Sequence, residues 1–130
     1  MSATLKAAVK ERVEASPLKF FGGPPVTTTT YPYVIGYFDG APRSSDREAD
    51  EWVQRTHGFQ TVIVGSSEAQ VDAARERLSA AIEGWRPTVD GRSFSRIEND
   101  GSQIARPDPE MPDRTLYIAT DQWRAVSDPT

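Results

Sequence analysis

The only histidine in this sequence is His57, and no cysteine accompanies it. Thiolate catalysis, thiolate metal sites and disulfides are therefore outside its chemistry. Hydrolysis by a nucleophile needs that group, a base and an orienting partner. His57 heads the run HGFQTVIV, where a lone histidine is ordinarily a strand-end residue. Ser66-Ser67 follows Gly65 between a strand-like and a helix-like segment, but the flanking glycines of a nucleophile elbow are missing. A helix N-cap accounts for these serines. Substitutions at His57 or Ser67 are expected to be tolerated. No Gly-Lys-Ser/Thr is present to cradle a phosphate, although the helix N-terminus could hold an anion weakly. For a metal, oxygen ligands dominate the choice. Asp46, Glu48, Asp50 and Glu51 have nearly the alternate spacing of a calcium loop, without its central glycine or its twelfth-position glutamate. Arg43, Arg47 and Arg55 offset their charge, so the segment reads as a solvated loop. No two acids stand out as a glycosidase pair. The expectation is a protein that is not an enzyme and uses no cofactor and no metal.

What is left is surface. Two polar stretches, 40–56 and 99–113, mix charges of both signs with an occasional Trp52 or Met111. Complementary charges of this kind fix orientation and register between subunits; ordinary variable loops account for them equally well. The residues singled out as a subunit or partner interface are Arg43, Asp46, Arg47, Glu48, Trp52 and Arg55.

The elements that must hold these loops follow from periodicity. Leu5, Ala8, Val9 and Val13 make residues 3–15 an amphipathic helix that Ser16-Pro17 ends. Residues 18–30, with Gly22-Gly23-Pro24-Pro25, read as a connector. The β-branched and aromatic run at 33–38 predicts a strand, closed by Asp39-Gly40. In 57–64, Phe59, Thr61 and Ile63 face one way, and Gln60, Val62 and Val64 the other. Ser67 with Gln70 has capping-box spacing. Helix 67–83 then presents Val71, Ala74, Leu78, Ala81, Ile82 and Trp85 as one stripe, with Gly84 and Pro87 to stop it. Residues 92–98 alternate as a strand with Phe94 and Arg96 on one face and Ile97 on the other. Asn99-Asp100-Gly101 reads as a turn, 105–113 as a proline-rich acidic loop, and 116–123 as the last strand before frayed residues. The fold class is α+β: a four-stranded mixed or antiparallel sheet packed against helices on one face, in one domain over 1–130.

Composition agrees with a folded, water-facing chain. About 37% of residues are hydrophobic, and 15 basic residues against 19 acidic give a formal charge of −4. That balance, without a basic stripe, argues against nucleic-acid binding as the main task. No apolar run approaches the ~20 residues that span a bilayer, and no signal-peptide core is present. Synthesis in the cytoplasm, away from membranes, is expected.

The order and spacing over residues 3–126 resemble the tail terminator (tail completion) proteins of long-tailed bacteriophages. The likeness lies in the N-terminal helix, the strand YPYVIGYFDG, the loop RSSDREAD and the strand FQTVIVG. It continues through the helix SEAQVDAARERLSAAIEGWRP, with its Trp85-Arg86-Pro87 ending, and the strand RTLYIATDQWRAVS. The resemblance implies a mixed sheet flanked by helices. It also implies a virion location at the head-proximal end of the tail, where six copies form a ring. The ring would cap the tail tube, stop its polymerisation and face the head-tail connector, with genome DNA passing through the lumen without sequence-specific contact. The partners implied are self, tail tube protein and connector. The loop with Arg43, Asp46 and Arg47 would lie near the lumen or the tube. The segment 99–113 matches no family feature. A neighbouring head-tail connector protein and a small α+β protein-binding adaptor are the alternative readings.

Overall fold

The structure, a computed structural model, describes residues 4–23, 30–38, 43–44, 55–108 and 116–129; for Arg43, Ser44 and Pro129 it describes the backbone alone. The chain runs α1 (Leu5–Ala15), β1 (Lys19–Phe21), β2 (Tyr33–Phe38), β3 (Arg43–Ser44), β4 (Arg55–Gly65) and α2 (Glu68–Ile82). It continues through β5 (Thr88–Val89), β6 (Arg92–Phe94), β7 (Glu98–Ser102), β8 (Arg106–Pro107) and β9 (Tyr117–Pro129). The α+β class and the mixed sheet agree with expectation. The strand number does not: among the described residues nine strands, not four, join one sheet.

β4 and β9 form its spine. They pair antiparallel over the whole of β4, from Arg55 opposite Ser127 to Gly65 opposite Tyr117. β2 lies antiparallel on the far side of β4, and β1 is added parallel to β2 at the margin. The other side of β9 is shared in turn by β8 at Ile118, β7 at Asp121–Arg124 and β6 at Ser127–Pro129. The C-terminal segment expected to fray is therefore strand, because Ala125 and Ser127 continue the inward alternation of Asp121 and Trp123.

Both helices begin on side-chain caps. The Thr4 hydroxyl accepts from the Ala7 amide and the Ser67 hydroxyl from the Gln70 amide, 3.1 Å each. The Gln70 carboxamide oxygen reaches back to the Ser66 amide at 2.7 Å, one residue earlier than a standard capping box. α2 ends as expected, with Gly84 at φ +76°. Its stripe Val71, Ala74, Leu78, Ala81 and Ile82 is buried with Val9 and Val13 of α1 against one sheet face. That face consists of Val34, Phe59, Thr61, Ile63, Ala119 and Trp123. Trp85 is only half-buried at the core's margin, where the Arg12 guanidinium lies 5.2 Å from its ring centroid.

Three further expectations change. The 18–30 connector contains β1, whose Phe20 ring packs over Gly36; a Cβ at Gly36 would collide with it. Residues 92–98 are not one strand, and Phe94 and Ile97 are both buried rather than on opposite faces. The Asn99-Asp100-Gly101 signal is a bulge within β7, with Gly101 at φ +142°, and not the end of a strand. Within the segment read as a polar loop, residues 99–102 and 106–107 are strand.

Candidate functional site

Of the six residues singled out for an interface, Asp46, Arg47, Glu48 and Trp52 lie outside the described residues. Arg43 and Arg55 come together: β3 pairs antiparallel with the start of β4, Arg43 opposite Thr56 and Ser44 opposite Arg55. Residues 43–44 and 55–56 thus lie side by side at one end of the sheet.

That end also holds residues whose proximity has no local signal. Ser127 is fully buried. Its hydroxyl lies 2.7 Å from His57 Nε2 and accepts from Arg92 Nε at 3.0 Å, while its carbonyl accepts from Arg92 Nη2 at 2.8 Å. The His57 ring packs on Phe94 with centroids 4.9 Å apart. Burial, then the nearby Arg55, lowers the Arg92 pKa below its ordinary value, with Asp128 opposing; an arginine remains charged through such a shift. A serine–histidine contact of this length suggests a nucleophile. The geometry argues otherwise, because a hydroxyl without solvent access, already engaged by an arginine, has no room for a substrate carbonyl. The cluster instead ties β4, β6 and β9 together and presents Arg55, His57 and Arg92 at the sheet end.

A second site spans the sheet. Asp121, 2% exposed, points to the helix side of β9. Arg75 of α2 donates Nε to Asp121 Oδ2 at 3.1 Å, and the Ser102 hydroxyl of β7 donates to Oδ1 at 2.5 Å. Arg75 Nη2 also donates to the Gln103 and Thr120 carbonyls. One buried carboxylate therefore fastens the 98–108 arm to α2 and β9, and its charge is answered where it sits.

The face of the sheet away from the helices holds a shallow trough. Tyr33, Ile35, Val62, Val64 and Ile118 line one half, of about 560 Å³, with Arg106 and Asp108 at its side. Gly58, Gln60, Gln122 and Arg124 line a more polar half of about 600 Å³, with Tyr37 and Gln60 common to both. Burial, with Tyr31, Asp108 and Tyr37 adding, raises the Tyr33 phenol pKa. The alternation in 57–64 anticipated Val62 and Val64 on this face; β8 beside it was not anticipated.

Among the described residues, no group of three His, Asp or Glu is placed to hold a metal ion, and no helix is long and apolar enough to cross a membrane.

No protein-family model matches this sequence, and no curated protein sequence matches it. Solved structures do share the fold. A chain from the virion of a native gene transfer agent particle superposes with a TM-score of 0.71 at 16% identity, over 95% of this chain and 94% of that one. A second solved chain gives a TM-score of 0.65 at 16% identity, over 95% and 93%. At that identity the likeness establishes a common fold along nearly the whole of both chains.

Proposed function

We propose that this protein is a virion structural component that caps a tail tube as a ring, ends tube polymerisation and offers its other face to the head-tail connector. The observation that carries the reading is the fold shared, end to end, with a chain of a phage-like particle. Near-complete coverage of both chains matters here, since a common core alone would fit many unrelated small α+β proteins. The architecture suits the task. Arg55 and Arg92 at one sheet end, beside β3, supply positive charge for a tube, a neighbouring subunit or passing DNA. The proposed role requires no reaction, cofactor or metal.

Co-sedimentation with purified tail tubes of different lengths tests this. A terminator saturates at a fixed number of copies per tube, whatever the length. Binding that grows in proportion to length, or none at all, would count against the reading. Saturation on isolated connectors but not on tubes would favour the neighbouring connector role.

A further inference from the structure

The two margins of the sheet differ in composition. At one margin stands β1, and among the described residues nothing pairs with its outer side. Lys19 is exposed there, Lys6 of α1 donates Nζ to the Gly22 carbonyl at 3.0 Å, and Lys10 follows one turn later, also exposed. Beside these cations lies a half-buried aromatic group. Phe21 meets Tyr33 edge-on at 5.7 Å between centroids, and Tyr31 stacks on Tyr33 at 5.6 Å.

At the opposite margin stands β7, every residue of which is exposed and which pairs only with β9 among the described residues. Its charges are Glu98 and Asp100. Arg124 bonds Glu98 at 3.0 Å and also feels the Asp100 charge, so on this strand two acids share one base and the edge keeps a net negative charge. Just beyond β7 is Ile104, 84% exposed. Its exposure does not come from a slack backbone. The Gln103 amide donates to the Thr120 carbonyl at 2.9 Å, the Gln103 carbonyl accepts from Arg75, and Ala105 packs against the core. An isoleucine is thus held out into water by neighbours that are themselves fixed.

We infer that these margins are the two halves of a contact between copies of this chain: the β7 edge of one copy, with Asp100 and Ile104, seats against the β1 edge of the next, with Lys19, Phe21 and Tyr31. Charge complementarity selects the occupant. The acidic edge with its apolar projection meets a basic edge with an aromatic surface, and both belong to the same chain. Two different patches make the contact head-to-tail, the kind that closes into a ring. Lys19 on the edge strand and the bulge at Asn99/Gly101 oppose indiscriminate strand addition, so side chains set the register. This inference rests on the ring reading only in taking a second copy as the occupant.

The absence of cysteine makes cross-linking clean. A Lys19→Cys/Ile104→Cys double variant, treated with a short bis-maleimide at high protein concentration, is expected to give a ladder of covalent multimers. The two single variants give heterodimers only when mixed. Ile104→Asp is expected to weaken self-association by at least about tenfold. Lys19→Glu and Asp100→Lys each weaken it severalfold, and the exchanged pair in one chain restores it. All are exposed positions, where substitution leaves folding intact. A double variant that gives no ladder, or Ile104→Cys linking only to itself, would overturn the inference. Rings or capped tubes that form while the engineered thiols stay unlinked would overturn it and leave the terminator reading standing. Failure to bind tubes together with a clear ladder would do the reverse.

Discussion

Arg75 Nε and Asp121 Oδ2, 3.1 Å apart, join the middle of α2 to the middle of β9, and Asp121 has 3% side-chain exposure against 22% for Arg75. The same carboxylate takes the Ser102 hydroxyl, so the pair also sets where the 98–108 arm lies. Removing one member leaves the other charge without its answer in a poorly hydrated place. Arg75→Ala and Asp121→Ala should each destabilise the fold by about 3 kcal/mol. The double substitution should cost clearly less than the sum. Urea denaturation of the four proteins measures this, and strict additivity would mean that the two side chains do not act as a pair.

Leu78 is fully buried in the stripe of α2 that faces the sheet. Leu78→Ala removes apolar contacts and leaves a cavity, at a cost of about 2–5 kcal/mol. Chemical denaturation reads the change, and an unaltered midpoint would contradict this helix register.

Tyr33 supplies a pH dependence. Its folded-state pKa is raised, chiefly by burial, so the neutral phenol is favoured in the folded protein. The stabilisation is fully present below the unfolded value near 10 and is lost as pH rises through the higher folded value. Stability should therefore fall at alkaline pH, and Tyr33→Phe should remove part of that fall. Thermal melts of both proteins from neutral to alkaline pH measure it; identical slopes would count against the assignment.

The helices were legible because their signals are local. The 3.6-residue stripe of α2, Ser67 as cap and Gly84 as stop lie within eighteen residues of one another, and β2 and β4 announce themselves by β-branched alternation. β1 was not legible, because three residues become a strand only by pairing with β2. Most of β9 beyond Trp123 was hidden by its own chemistry: Asp121 and Ser127 point inward, and buried polar residues obscure a period-two pattern. The candidate site divides the same way. Arg43 and Arg55, close in sequence, lie on the paired strands β3 and β4, but Arg92 and Ser127 reach His57 from distant segments, and Ile104 looks in sequence like any loop residue. The four-stranded expectation failed because the short strands β3, β6 and β8 depend on the long β4 and β9 for their hydrogen bonds, and β5 depends in turn on β6.

The central claim is tested most directly by electron microscopy of tail tubes polymerised with and without this protein. The account predicts a ring of about six copies, the closed head-to-tail symmetry expected of such a contact, seated at one end of each tube, and tubes that stop growing once it is in place. Tubes that elongate unchecked with bare ends, or that carry the protein along their walls, would contradict it.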